Sequence, residues 1–214
     1  MTSPRRATPL TREELAVDVL TVAPRLLGTE LVSETPDGEV RVRVVEVEAY
    51  RGADDPGSHC YRGRTARNAV MWGPAGHLYV YFVYGMHFCA NVVCLTEGVA
   101  GAVLLRAGEV LSDPGAAHAR RPTARGRDAD LARGPARLCT LLGIGREHNG
   151  VDVLASASPV RLERGTAVPD AAISRGPRVG VAAGQLRPWR FWLTGSPAVT
   201  PYKAGRPRPD GPDW

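Results

Sequence analysis

Apolar and polar positions alternate most clearly from Arg41 to Tyr50, which reads Arg-Val-Arg-Val-Val-Glu-Val-Glu-Ala-Tyr. Successive side chains of a strand point to opposite faces, so this pattern predicts a pleated strand. The alternation slips once. Val42 and Val44 share one phase, whereas Val45, Val47 and Ala49 share the other. A bulge at Val44–Val45 restores it, collecting the apolar side chains on one face. Arg41, Arg43, Glu46, Glu48 and Tyr50 then lie on the opposite face, with two carboxylates and a phenol in a row at the strand's end.

The rest of the chain is organised on either side of this strand. Leu15, Val19, Leu20 and Val22 follow helical spacing, and Thr11 with Glu14 forms a capping-box signal ahead of them. Pro24 ends or kinks that helix. Leu26 to Val32 reads as a helix end or an edge strand. Pro36-Asp37-Gly38 is a turn signal, which pairs Leu31–Glu34 with Val40–Tyr50 as a hairpin. A polar loop follows from Arg51 to Asn68, carrying His59, Arg62, Arg64 and Arg67. Leu78 to Leu95 is dense in β-branched and aromatic residues and predicts two strands, with the turn at Tyr84-Gly85-Met86-His87. Gly101 to Ala107 reads as a buried strand ending in Arg106. Ser112 to Arg133 reads as a basic surface loop, and Pro135 opens a helix through Leu142. Arg178–Val181 and Trp189–Leu193 are predicted as late strands. Proline, glycine, arginine and aspartate dominate from Lys203 onward, as in a disordered end.

Composition narrows the class. The 214 residues, 43% of them hydrophobic, suit one domain with an ordinary core. No apolar run approaches the roughly 20 residues of a membrane-spanning helix. Met1 to Leu10 is polar and lacks the apolar segment of a secretory signal, so a cytoplasmic location with no membrane contact is expected. Cys60, Cys89, Cys94 and Cys139 form no Cys-x-x-Cys pair and read as buried free thiols, not zinc ligands. The net charge of +5 is almost wholly arginine, since Lys203 is the only lysine. A GC-rich genome would produce the same bias, but guanidinium groups also suit bidentate contacts to phosphate.

Three groups of residues carry candidate chemistry. Glu46 and Glu48 share a strand face with Tyr50; a solvated polar face, a metal site, a glycosidase pair and a single general base are all consistent with them. Tyr79 and Tyr81 share a face of their strand, as ordinary sheet aromatics also do. Tyr84 stands beside the turn glycine, where a large aromatic projects unless a partner receives it; an unstacking wedge in nucleic acid is one such use. Asn91 interrupts an apolar strand and needs a partner, either in the backbone or on a base edge.

The runs Val45-Glu-Val-Glu-Ala-Tyr50, Ser58-His59, Tyr79-Val-Tyr-Phe-Val-Tyr-Gly-Met86 through Asn91, and Leu104-Leu-Arg106 closely resemble the 3-methyladenine (alkyladenine, methylpurine) DNA glycosylases. Arg178–Val181 and Gly195-Ser-Pro197 resemble that family's C-terminal blocks, so the resemblance spans Leu15 to Thr200. It implies that Glu48 activates the attacking water, with Arg106 and the backbone carbonyl of Val179 helping to hold it. Tyr50, His59 and Tyr81 would wall the pocket around an extruded base. Asn91 would disfavour the 2-amino group of guanine, and Tyr84 would fill the gap left in the duplex. No metal or cofactor is implied. Two departures stand out: His87 replaces a tyrosine of mammalian relatives, and Ala119–Arg133 has no placed counterpart.

Physical chemistry fits that resemblance. A cationic alkylated purine gains from aromatic faces and is already a good leaving group. A carboxylate beside the sugar can deprotonate water and favour an oxocarbenium-like transition state. Glycosylases that also cut the backbone attack with an amine, and the lone Lys203 lies far along the chain from Glu48, so a monofunctional enzyme leaving an abasic site is expected. The expected fold is a single α+β domain, with a curved, mostly antiparallel, open-barrel-like sheet flanked by helices and a protruding hairpin. Residues 11–202 would form it, with flexible arms at 1–10 and 203–214. The expected partner is duplex DNA containing alkylated bases, bound by a monomer. A catalytically silent module that recognises damaged DNA is the alternative, and a carbohydrate glycosidase using Glu46 and Glu48 leaves the Tyr84 tip without a purpose.

Overall fold

The computed structural model describes residues 10–35, 38–83, 85–121, 124 and 127–206. Two short helices open the domain, α1 (Arg12–Leu15) and α2 (Val19–Leu26). The Thr11–Glu14 capping box forms as expected, with the Thr11 amide donating to Glu14 at 2.7 Å. The single helix expected here is instead two. Asp18 accepts from the Leu20 amide at 2.8 Å, and such a side chain caps a new helix in preference to continuing an old one. Pro24 sits inside α2, whose buried Val19, Val22, Ala23 and Leu26 form one apolar stripe against the sheet.

Among the described residues the sheet has eight strands, β1 (Glu30–Thr35), β2 (Gly38–Tyr50), β3 (Leu78–Val83), β4 (His87–Val93), β5 (Ala102–Val110), β6 (Val160–Glu163), β7 (Ile173–Gly176) and β8 (Arg190–Leu193). Six of them follow the order β3-β4-β5-β2-β1-β6, β8 pairs with β2 and β7 with β8, and every pairing among the described residues is antiparallel. The long β2 is the hinge of this plan. One edge pairs with β5 along most of its length; the other pairs first with β1 and then, from Glu46 to Glu48, with β8. The sheet does not close, and with few helices around it the chain is a single α+β domain. No described helix is long and apolar enough to cross a membrane.

The β1–β2 hairpin and the β3–β4 hairpin both form as the pattern predicts, although Pro36, Asp37 and Tyr84 lie outside the described residues. Gly85 takes a positive φ of 69°, and Met86 beside it is 70% exposed. The helix α4 (Pro135–Leu142) starts at its proline and ends on Gly143 in the left-handed region.

Three further expectations need correcting. β5 runs four residues beyond Arg106, so that residue lies within a strand and not at its end. The basic segment from Ser112 contains a helix, α3 (Pro114–Arg120), capped by Asp113 and burying Ala117. Arg178–Val181 is a turn. Val179 and Val181 mimic strand alternation, but Gly180 at φ 71° turns the chain back on itself. The Gly180 amide donates to the Lys203 carbonyl at 2.9 Å, and Gln185 donates to the Gly205 carbonyl at 3.2 Å, which keeps 203–206 against the domain.

The slip in β2 is a bulge, as its pattern predicts. Val44 pairs with Gly108, Glu46 with Ala107 and Val47 with Leu105, which leaves Val45 unpaired on β2 and Arg106 unpaired on β5. Val42, Val44, Val45, Val47 and Ala49 all enter the main core, beside Leu31, Leu105 and the inner faces of α2 and α4. The opposite face is covered as well. Glu46 and Glu48 are both 0% exposed.

Candidate active site

Registers bring the polar face of the sheet together. Tyr79 pairs with Asn91, Tyr81 with Cys89, Asn91 with Leu104 and Glu48 with Leu104, so these residues line one continuous face. A cleft of about 810 Å³ opens on it. Tyr50, His59, Tyr81, Asn91, Arg106 and Val179 all line that cleft, and Glu48 lies directly beneath it.

Glu48 is held by three donors. The Tyr50 hydroxyl donates to Oε2 at 2.8 Å, while the Val179 amide donates to Oε1 at 2.7 Å. An Arg106 Nη stands 3.2 Å from Oε1. A carboxylate offers about four acceptor positions, so one remains on Oε2, next to the Tyr50 hydroxyl. Burial, and then the Glu48 charge, push the Tyr50 phenol well above its ordinary value, which keeps it a donor.

Glu46 is bound more tightly still. Its Oε1 accepts from Arg106 Nε at 2.7 Å, Arg190 Nε at 2.8 Å and the Thr200 hydroxyl at 2.7 Å; its Oε2 accepts from the Thr200 amide at 2.7 Å. Burial opposes ionisation of Glu46, but the Arg106 charge, the two Thr200 donors and the Arg190 charge outweigh it and hold the carboxyl below its ordinary range.

The aromatic side of the cleft is built from the loop and β3. Tyr79 and Tyr81 stack with ring centroids 5.6 Å apart, and the His59 ring meets Tyr81 edge-on at 4.6 Å. His59 Nδ1 lies 3.0 Å from the Tyr79 hydroxyl. Desolvation, followed by the nearby Arg67 charge, holds the imidazole below its ordinary value, so this wall is uncharged at neutral pH. The loop is fixed by two buried polar residues. Asn68 donates to the His59 and Gly63 carbonyls at 2.9 and 3.0 Å, and Asp55 forms a bidentate pair with Arg178. The Arg178 guanidinium lies 4.6 Å from the Tyr50 ring centroid and so supports that ring. Among the described residues, no group of three or more histidine, cysteine, aspartate or glutamate side chains is arranged to hold a metal ion.

Comparison with known proteins decides the family. The sequence profile of Methylpurine-DNA glycosylase matches residues 13–197. The chain is 56% identical over 203 residues to a Streptomyces avermitilis protein named "Putative 3-methyladenine DNA glycosylase", covering 94% of this chain and 95% of that one. Proteins of the same name from Nocardia farcinica and Mycobacterium tuberculosis are 55% and 47% identical, covering 93% of each chain for the first and 89% of this chain and 93% of the relative for the second. The chain belongs to the methylpurine-DNA glycosylase family. These enzymes are hydrolases of N-glycosyl bonds.

Within this glycosylase fold Tyr50, His59, Tyr81, Asn91, Arg106 and Val179 converge on one cleft. The Val179 amide also donates to Glu48, a contact separate from the one that the resemblance gives its carbonyl, which is to the attacking water. Asn91 donates its side-chain amide to the Tyr79 carbonyl at 3.0 Å, the backbone partner that a buried amide requires. Tyr84 lies outside the described residues. Four contributors escaped the sequence reading: Arg190, Thr200, Asp55 and the pairing role of Arg178. Lys203, far along the chain from Glu48, lines the same cleft.

The Glu46 network gives an acid-stability prediction. A carboxyl whose folded value is depressed stabilises the fold above its ordinary 4.5 and loses that contribution as pH falls through the folded value. Melting temperature should therefore drop as pH decreases below 4.5, and less steeply in Glu46→Gln. Parallel curves for the two proteins would remove Glu46 from the acid transition.

Proposed function

We propose that this glycosylase removes alkylated purines from duplex DNA, taking the flipped nucleotide into the cleft and hydrolysing its N-glycosidic bond with water. The observation that carries this reading is the buried Glu48 carboxylate, with one acceptor position unused, lying under a cleft with aromatic walls. Glu48 takes the proton of the attacking water at that position. Arg106 donates to the water, and the Val179 carbonyl accepts a hydrogen bond from its second O–H, which stays on the oxygen.

His59 and Tyr81 touch each other, so they act together as one wall and Tyr50 as the other. An alkylated purine is cationic, and both walls present uncharged aromatic faces to it. Asn91 stands where the edge of the base would be read. Tyr84, between β3 and β4 in sequence, is the proposed wedge, and a damaged base unpairs at lower cost than a sound one. The protein is taken to act as a cytoplasmic monomer.

The test is release of 3-methyladenine and 7-methylguanine from methylated duplex DNA, resolved by chromatography. No release by the wild-type protein would overturn the reading; binding of damaged duplex without release would select a silent recognition module.

The product follows from the nucleophile. A lysine becomes a nucleophile through desolvation or a neighbouring cation, and Lys203, although it lines the cleft, is exposed. Borohydride reduction during turnover should trap no covalent protein–DNA adduct, leaving an intact strand with an abasic site. An adduct that disappears in Lys203→Ala would show amine chemistry instead.

A further inference from the structure

We propose that Glu46 is a positioning residue for the reaction, fixing Arg106 in the one orientation that serves Glu48 and the attacking water. This deepens the reading of Glu48 as the base and rests on it.

Each Arg106 nitrogen has its own partner. Nε meets Glu46 at 2.7 Å, one Nη meets Glu48 at 3.2 Å, and the other meets the Thr200 hydroxyl at 3.3 Å. The guanidinium is planar, so holding Nε and one Nη leaves no freedom for the third nitrogen. Regular alternation along β5 puts Val103, Leu105 and Ala107 in the core and aims Leu104 and Arg106 at the cleft. Glu46 then secures that direction from below.

The cluster is charge-balanced and closed. Glu46 and Glu48 face Arg106 and Arg190, all buried, and Arg190 also donates to the Thr200 carbonyl at 2.6 Å. Buried ion networks add little stability over apolar packing of the same volume. One placed directly beneath a reacting carboxylate gains its purpose from orientation, because small displacements of a catalytic group are costly in rate.

The discriminating variant is Glu46→Gln. Glutamine keeps the length but offers one oxygen and a pair of N–H groups to a set of partners that are all donors. Single-turnover excision from methylated duplex should fall on the order of 10- to 100-fold, with unchanged affinity for that duplex. In a double-mutant cycle, Glu46→Gln should add no further loss to Arg106→Gln, because Glu46 acts through Arg106. Thr200→Val, which removes the hydroxyl between the two, should slow excision more mildly and serves as the test if Glu46→Gln does not fold.

Wild-type rates in both variants overturn the proposal, as does an additive cycle or a loss that follows only the folded fraction. Wild-type protein that releases no methylated purine would refute the underlying reading of Glu48 instead.

Discussion

Replacing Glu48 by glutamine should stop base release while leaving duplex binding intact. A general base contributes on the order of 10²–10⁴ in rate, and the spontaneous departure of a cationic purine sets the floor. Glutamine can occupy the same space. Its carbonyl oxygen can accept from the Val179 amide and from Arg106, as Oε1 of Glu48 does now. On the other side the Tyr50 hydroxyl can turn from donor to acceptor and receive the new amide N–H. Two things are lost: the site that takes a proton from water, and the negative charge beneath a sugar that becomes cationic in the transition state. The measurements are single-turnover release of methylpurine and, in parallel, equilibrium binding to the same duplex. Wild-type release by Glu48→Gln would remove Glu48 from the reaction. Loss of binding together with release would mean that the substitution had disturbed the cleft, not the chemistry.

Much of this site was legible in β2 because a strand's period is local. The slip between Val44 and Val45 located a bulge, and the bulge put Glu46, Glu48 and Tyr50 on one face. What lies against that face was not legible. The partners of Glu46 come from 60, 144 and 154 residues away, and no local pattern joins Arg106, Arg190 and Thr200 to it. The same applies to Asp55 and Arg178, separated by 123 residues. Periodicity therefore offered two equivalent carboxylates, the resemblance separated Glu48 from Glu46, and only tertiary structure gave Glu46 its partners. The errors are physical in origin as well. Val179 and Val181 carry strand propensity, but Gly180 between them adopts a conformation that a strand excludes. Leu15 and Val19 keep helical spacing across a break that Asp18 creates by capping the second helix.

That long-range architecture makes Asp55 the residue whose loss should damage the fold most. Asp55 and Arg178 are both 0% exposed in their side chains, and the two guanidinium Nη atoms each meet one carboxylate oxygen. Asp55 also accepts from the Gly57 and Arg51 amides at 3.0 and 3.3 Å, so it organises the start of the His59 loop. Arg178 has no route to solvent. It lies between the Tyr50 and Trp189 rings, and packing is so close that a Cβ on Gly57 would fall 2.7 Å from its guanidinium. Asp55→Ala would leave that charge buried and unpaired, at a cost of about 3–5 kcal/mol. For a domain of this size each kcal/mol moves the melting temperature by about 2–4 °C, so a drop of roughly 6–20 °C is expected in thermal unfolding. Excision by the folded fraction should fall too, because Arg178 supports the Tyr50 wall and precedes Val179, whose amide holds Glu48. A second substitution separates the causes. Adding Arg178→Met removes the stranded charge and refills its volume, so the double variant should be more stable than Asp55→Ala alone. Activity should stay low in that double variant, since methionine restores packing without restoring the cation behind Tyr50. A double variant less stable than Asp55→Ala would show that the loop's amide bonds to Asp55, and not its pairing with Arg178, account for the loss.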